Sequence, residues 1–340
     1  MNFWIGWKES GKMIHSKKFI VLIAIHSAAG VADTDRFVMK NCEPKMNQTT
    51  KKPERIGVTW HPHLAAAEEE AKKIIEEINT RFHGQAVAEG WSLYDEAFRE
   101  SLERRPFDLV ITFGGDGTML RTNKLCAPFE VPVCGINMGS FGFMMEIAKN
   151  QWREKLPALM NGDWRIEKRM MLHVELVRKN NERTRWEVLN DAVIGHGSKL
   201  RPIRINVRIN ENYLTDYVAD GLIVSTATGS TAYAMAAGGP IMEPELRNIL
   251  VIPVAPHLCL ERGIVLDEND VVEIRSSSEH ETIFSPDGQD GMMIDESDTI
   301  SVSASEFSAR YVRLEGKGFF YSNFIQYMQR NPSANRKTTI

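Results

Sequence analysis

Between residues 64 and 82 the apolar positions Leu64, Ala67, Ala71, Ile74, Ile78 and Phe82 recur every three or four residues among glutamates and lysines. That is the period of an amphipathic helix. The preceding segment, Arg55-Ile56-Gly57-Val58-Thr59-Trp60, predicts a strand. After the helix come a strand over residues 85–88, a second helix over 92–103 and the apolar strand Leu109-Val110-Ile111-Thr112-Phe113. Residues 118–125 have helical propensity, and Val131-Pro132-Val133-Cys134-Gly135-Ile136-Asn137 predicts the next strand. Strands alternating with helices up to residue 150 imply a parallel sheet covered on both faces, with its ligand crevice at the carboxyl ends of the strands. Beyond a linking helix over residues 152–160 the apolar period falls to two. Ile203-Arg204-Ile205-Asn206-Val207-Arg208-Ile209 alternates strictly and is followed by a turn at Asn210-Glu211-Asn212. Similar stretches at 173–177, 186–188, 271–275 and 299–303 make this second part mostly antiparallel β.

At 340 residues the chain exceeds the roughly 250–300 residues that one core usually supports, so two domains are expected. The pattern divides it into a leader (1–54), an α/β domain (55–150), a mostly β domain (151–315) and a tail (316–340). The tail is expected to pack back on the first domain at its start and to be loose from Gln329. A net charge of −4 offers no footprint for nucleic acid. The four cysteines, Cys42, Cys126, Cys134 and Cys259, form no Cys-x-x-Cys pair, which suits a reducing compartment and argues against a zinc site. In the leader, Lys17-Lys18 followed by an apolar run over 19–25 resembles a secretory signal, and the run is too short to span a bilayer. A buried or disordered extension and an upstream start codon are the favoured readings, because Met46 opens a polar segment directly before the first strand. Gly6-Trp7-Lys8-Glu9-Ser10-Gly11-Lys12-Met13 mimics a P-loop, but Met13 stands where Ser or Thr is needed and no strand precedes it.

The chemistry concentrates at Gly114-Gly115-Asp116-Gly117-Thr118, at the end of a strand. Glycines there permit positive φ and close approach of a ligand to the backbone. The helix that follows would present its N-terminus to an anion. A carboxylate in such a nest repels phosphate unless it takes a proton from a substrate hydroxyl or holds a metal, and both roles belong to phosphoryl transfer. A second dense segment runs from Ala219-Asp220-Gly221 through Ser225-Thr226-Ala227-Thr228-Gly229-Ser230-Thr231-Ala232-Tyr233. Its hydroxyls either cap a helix over 231–237 or face a polar ligand. Asn190-Asp191 adds an amide and a carboxylate suited to an adenine edge or ribose hydroxyls. His61-Pro62-His63 lacks an acidic third partner and reads as surface or substrate-facing rather than as a metal site. Gly135, Gly139 and Gly142 have the wrong spacing for a dinucleotide fingerprint, which disfavours hydride transfer.

Taken in order, these blocks resemble the NAD kinase family, which phosphorylates the adenosine-ribose 2′-hydroxyl of NAD to make NADP. The resemblance runs through Gly114-Gly115-Asp116-Gly117-Thr118, Gly135-Ile136-Asn137-Met138-Gly139-Ser140-Phe141-Gly142-Phe143, Leu189-Asn190-Asp191, Asp220-Gly221-Leu222-Ile223-Val224-Ser225-Thr226, Thr228-Gly229-Ser230-Thr231-Ala232-Tyr233, Gly238-Gly239-Pro240 and Asp287-Gly288-Gln289. It covers residues 55–314. The aspartate turn alone is shared with diacylglycerol and sphingosine kinases and with phosphofructokinases; the combination is specific. The fold it implies is an α/β amino-terminal domain with a parallel sheet, like that of phosphofructokinases and diacylglycerol kinases, plus a mostly antiparallel all-β carboxyl-terminal domain. By the same resemblance Asp116 is the proton acceptor, and the NAD contacts are Asp116, Gly117, Arg121, Asn190, Asp191, Arg201, Asp220, Thr231, Ala232, Tyr233, Ala234, Met235, Ala236, Ala255 and Gln289. Three positions depart from the family pattern: Val218 stands for a frequent Arg, Ala227 for Pro and Ala236 for Ser. Loss of the first cation shifts charge compensation to Arg121, Arg201 or a partner subunit.

The resemblance further implies ATP as donor, Mg²⁺ or another divalent cation held through the donor phosphates, and a homodimer or homotetramer in which a neighbour helps to complete each site. Neither nucleic acid nor membrane is an expected partner, and a nucleotide-dependent kinase is expected in the cytoplasm, beside its donor. A lipid or sugar kinase sharing the aspartate turn is the alternative, and it would need an apolar acceptor pocket or a basic membrane-facing patch. A dinucleotide sensor without transfer would have lost the acid at 116, which is present.

Overall fold

The computed structural model describes residues 51–139, 142–257, 260–278 and 280–316, together with Phe320, Tyr321 and Phe324. Residues 1–50 of the leader, with its apolar run and P-loop-like segment, and the tail from Gln329 lie outside the described residues. The chain begins β1 (Arg55–Trp60), α1 (Ala65–Arg81), β2 (Val87–Ser92), α2 (Glu96–Arg104), β3 (Leu109–Gly114), α3 (Asp116–Cys126) and β4 (Val133–Asn137), as the alternating pattern requires. Then come β5 (Ile147–Ala148), α4 (Trp152–Asn161), β6 (Arg165–Val177), β7 (Arg183–Val188), β8 (Asp191–His196), β9 (Ile203–Ile209), β10 (Asn212–Ala219) and β11 (Gly221–Ser225). The one-turn helix α5 (Tyr233–Ala236) precedes β12 (Asn248–Val254), β13 (Ile264–Asp267), β14 (Val272–Ser276), β15 (Thr282–Pro286), β16 (Met292–Ile294) and β17 (Thr299–Arg313).

Several elements differ in extent from the pattern: β6, β7 and β17 are longer than the stretches at 173–177, 186–188 and 299–303, and β2 and α2 are shifted for local reasons. β2 runs on to Ser92 because its parallel pairing with β1 continues to Trp60, and Gly90 leaves room there for Ile75 and Trp60. Helix α2 starts only at Glu96, since Asp95 caps it by accepting the Ala97 N–H at 3.0 Å. The turn read at Asn210-Glu211 is a two-residue hairpin loop between β9 and β10, and both residues have the positive φ that a type I′ turn demands.

One sheet has eleven strands and carries β10-β9-β14-β17-β4-β3-β1-β2 in that order, with β5 on β4 and β6 on β17 and β7. Its β4-β3-β1-β2 part is parallel. A second, antiparallel sheet of six strands has the order β13-β12-β11-β8-β15-β16. The protein therefore joins an α/β part with a mostly parallel sheet to a mostly antiparallel β part. Strand β17 connects them: it pairs antiparallel with β6 from Thr299 to Arg313, with β14 only over Ile300 to Val302, and Tyr311 near its end pairs parallel with Val133 of β4.

The parallel sheet is buried on both faces. Ile56, Val58 and Ile111 pack with Ile74 and Ile78 of α1 and Trp152 and Leu156 of α4 on one side. Phe98, Leu102, Met119 and Tyr311 fill the other. Between the two sheets lie Leu172, Val174, Ile194, Ile205, Val207, Leu222, Val224, Phe284 and Val302. Among the described residues no helix is long and apolar enough to cross a membrane.

Trp152 pins α4 to α1: its ring is 1% exposed and its indole N–H donates to Glu70 at 2.9 Å. Trp152→Ala should destabilise the fold by about 3–5 kcal/mol, read as a lower urea midpoint; an unchanged midpoint would remove Trp152 from the core.

Candidate active site

Strand β3 ends at Gly114, and Asp116 opens α3, so the acid sits at the carboxyl edge of the parallel sheet. Its carboxylate is held. Phe143 N–H donates to Asp116 Oδ2 at 2.8 Å and Met144 N–H to Oδ1 at 3.1 Å. Gly142 makes this possible, because a Cβ there would lie 2.1 Å from Asp116 Oδ1. The turn's glycines serve space rather than unusual torsions. Gly115 has φ −125° and is extended, and neither Gly114 nor Gly117 has positive φ, which corrects the expectation of left-handed backbone. A Cβ on Gly114 would meet Thr118 Oγ1 at 2.2 Å, whereas Gly115 and Gly117 border open space within 4 Å. A ligand can approach the main chain on both sides of the acid.

Helix α3 is tied to the β part by one buried carboxylate. Asp287, whose side chain is fully buried, accepts Lys124 Nζ of α3 at 2.9 Å. It also accepts the N–H groups of Leu189 at 2.9 Å, Asn190 at 2.7 Å and Asp191 at 3.3 Å. Asp287 and Gly288 both have positive φ. The Asp-Gly turn after β15 thus aims a charge back at the start of β8.

Next to this knot, burial and the nearby Asp287 charge push the Asp191 carboxyl up to about 7, against the stabilising Tyr233 backbone N–H. The segment before Tyr233 is not the helix expected over 231–237. It is a 3-10 turn at Gly229–Thr231 followed by α5, because its hydroxyls bond locally and compete with helix formation. Thr226 Oγ1 donates to Leu189 O at 2.6 Å, and Ser230 Oγ donates to Ala227 O at 2.6 Å. Thr231 Oγ1 donates to Thr228 O at 3.1 Å. These hydroxyls build the loop. Gly229 packs on the main chain of Asn190, where a Cβ would come within 2.1 Å of its carbonyl oxygen. Two buried polar atoms here, Asn190 Oδ1 and Thr228 Oγ1, have no hydrogen-bond partner among the described residues.

The fifteen sequence-derived contact residues fall into two groups. Asp116, Gly117 and Arg121 lie on α3, while Asn190 and Asp191 are bound to it through Asp287 and Lys124. Tyr233 touches Asp191, so Thr231, Ala232, Ala234, Met235 and Ala236 stand at the same end of the second sheet. Gln289 closes the Asp287 turn, its carbonyl accepting Ser285 Oγ at 2.6 Å. Asp220 and Ala255 are elsewhere. Strand β11 starts at Gly221, paired with Val254 and Gly195, and ends at Ser225, paired with Asp191. At about 3.4 Å per residue, Asp220 is roughly 20 Å from Thr226. His196 N–H donates to Asp220 O at 3.1 Å, so Arg201, just beyond β8, belongs to the Asp220 end.

Arg121 is exposed and donates to the Tyr94 hydroxyl, with its guanidinium 5.1 Å from that ring. His61 meets Tyr94 edge-on at 6.5 Å and His63 at 5.6 Å. Among the described residues no three His, Cys, Asp or Glu side chains are placed to hold a metal. Val218 stands opposite Arg204 across β9 and β10. Sequence reasoning missed Lys124, since a lysine eight residues after Asp116 looks like any solvated helix charge. The N–H donors of Phe143 and Met144 carry no side-chain signal at all.

The raised Asp191 fixes a sign for pH. The folded protein keeps this proton up to about pH 7, while the unfolded chain loses it near pH 4. Stability from this group therefore falls between those values and is lowest above pH 7. Asp191→Asn should gain on the order of 2 kcal/mol relative to the parent at pH 8 and little at pH 4.5, measured by denaturant titration at both. Equal differences at the two pH values would show that Asp191 does not titrate in that window.

Comparison with known proteins gives the geometry its relatives. A family model for the ATP-NAD kinase N-terminal domain matches residues 36–164, and one for the ATP-NAD kinase C-terminal domain matches residues 189–314. The NAD kinase of Thermoanaerobacter sp. (strain X514) is 38% identical over 229 residues, which is 67% of this chain and 81% of that one. The NAD kinase of Dehalococcoides mccartyi (strain CBDB1) is 34% identical over 281 residues, covering 82% and 96%. Yeast NADH kinase, solved with NADH, superposes with a TM-score of 0.70 at 21% identity over 85% of this chain and 90% of its own. An NAD kinase from Archaeoglobus fulgidus, solved with ATP, gives 0.62 at 24% identity over 81% and 98%. With both domain models matched in order and relatives more than one-third identical over two thirds of its length, the chain belongs to the NAD kinase family.

Proposed function

We propose that the protein transfers the γ-phosphoryl group of ATP directly to the 2′-hydroxyl of the adenosine ribose of NAD, giving NADP and ADP. The observation that carries this reading is the Asp116 carboxylate, fixed by two main-chain N–H groups between Gly115 and Gly117, where the backbone is open to a ligand. Asp116 takes the 2′-hydroxyl proton as the ribose oxygen bonds to phosphorus and the bond to the ADP oxygen breaks. The α3 N-terminus sits where phosphate charge is favoured. The orphan atoms Asn190 Oδ1 and Thr228 Oγ1, with the Asp191 carboxyl, suit a hydroxyl- and amide-rich dinucleotide rather than a lipid. The NADH and ATP carried by the two solved relatives support the same substrates.

A divalent cation belongs to this chemistry. The described side chains offer no protein cage for one, which fits Mg²⁺ carried on substrate phosphates with few protein ligands. Bound there, it would neutralise charge on the transferring group.

The roughly 20 Å between the two groups of contact residues supports a site shared between subunits. Asp220, Ala255 and Arg201 of one copy would then serve the Asp116 of a neighbour, and the assembly would be a homodimer or homotetramer.

Asp116→Asn should lower kcat by about 10²- to 10⁴-fold, measured by NADP formation from NAD, ATP and Mg²⁺ with an NADP-specific dehydrogenase; near-normal turnover would refute the base. Sharing of the site has its own check. Asp116→Asn and Asp220→Asn, each weak alone, should recover on the order of a quarter of parental activity when dissociated, mixed and reassembled. No recovery in reassembled mixtures would confine each site to one chain.

A further inference from the structure

The geometry points to Arg313, at the end of β17, as the residue that positions Asp116, acting through the main chain of Met144. This rests on the reading of Asp116 as the base.

Met144 faces two ways. Its N–H donates to Asp116 Oδ1, and its carbonyl accepts Arg313 Nη1 at 3.2 Å. The same Nη1 donates to Glu146 Oε2 at 2.9 Å. Glu146 in turn fixes the neighbouring chain, accepting the Leu314 N–H at 2.7 Å, while its own N–H donates to Gly135 O at 3.0 Å. Arg313 is itself immobilised. Its Nη2 and Nε donate to Glu167 Oε1 at 3.0 and 3.2 Å, and its guanidinium lies 5.2 Å from the Tyr311 ring. Arg169 stands 4.2 Å from that ring and donates to Glu167 at 2.9 Å. The side chains of Arg313, Glu146 and Glu167 are all less than a tenth exposed. Burial works against the Glu167 charge, yet Arg169 and Arg313 hold its carboxyl far below the usual range.

A cluster this deep could serve stability alone. Two features argue for more. Arg313 spends a donor on a main-chain carbonyl within the segment that holds Asp116, rather than only on carboxylates. The guanidinium's planar fork reaches Met144 O, Glu146 and Glu167 together, which the single ammonium of a lysine cannot do. Slackening that link lets the Met144 N–H, and with it the Asp116 carboxylate, move by fractions of an ångström. Errors of about 1 Å in a reacting group cost on the order of 100-fold in rate.

The test is a double-mutant cycle on the full-length protein. Arg313→Lys should lower kcat about 10- to 100-fold with the KM for NAD within about twofold. In the Asp116→Asn background the same change should have almost no further effect, since its target is already gone. Arg169→Lys perturbs the same buried cluster without touching Met144, and should lower the melting temperature while leaving kcat within about twofold. Parental kcat in Arg313→Lys, or an equal loss in both backgrounds, overturns the positioning role. Should Arg313→Lys fail to fold, Glu146→Gln carries the cycle: it keeps an acceptor for Leu314 N–H and removes the charge that orients Arg313. Near-normal turnover of Asp116→Asn alone would instead overturn the reading of the base, so the two failures are distinct.

Discussion

The Asp287 carboxylate is the constraint on which the site depends. It lies out of solvent, and a buried charge without partners is among the costliest features a fold can contain. Both of its oxygens are met, by three consecutive main-chain N–H groups and by Lys124. Those donors come from the start of β8 and from the helix that begins with Asp116. Satisfying one charge therefore forces two distant stretches of chain into register. The same charge raises the cost of ionising Asp191 beside it, so the knot sets both geometry and protonation.

Around it the architecture follows a simple logic. A parallel sheet presents its carboxyl edge, and the acid is mounted there on the first residue of α3. The antiparallel part supplies loops whose hydroxyls are consumed in shaping themselves. Around the site, two described side-chain atoms, the Asn190 amide oxygen and the Thr228 hydroxyl, keep unused hydrogen-bonding capacity beside the raised Asp191 carboxyl. Such a distribution, mostly satisfied with a few open valences, is how a rigid scaffold keeps polar atoms poised.

Much of this was legible in the chain. The alternation of periods separates the α/β part from the β part, and Gly114-Gly115-Asp116-Gly117-Thr118 locates the acid on a strand end. Its glycines make room for a ligand and for Thr118 but do not twist the backbone. Main-chain donors to Asp116 leave no trace in residue identity, and long-range ion pairs such as Lys124 with Asp287 have no local period to betray them. The loop at Thr228 to Tyr233 shows the opposite problem. Its composition allowed capping or ligand contact, and only the three-dimensional partners of each hydroxyl separate the two.

Strand β17 has a consequence for how the molecule is made. The outer edge of β4 near Val133 is completed by Tyr311, close to the carboxyl end of the described fold. During synthesis at about 5–20 residues per second, that edge and the apolar surface under it wait on the order of 10–30 s for their last strand. An unpaired central strand is a template for foreign β-strands. Completion of the parallel sheet therefore waits until nearly all of the β part has been made.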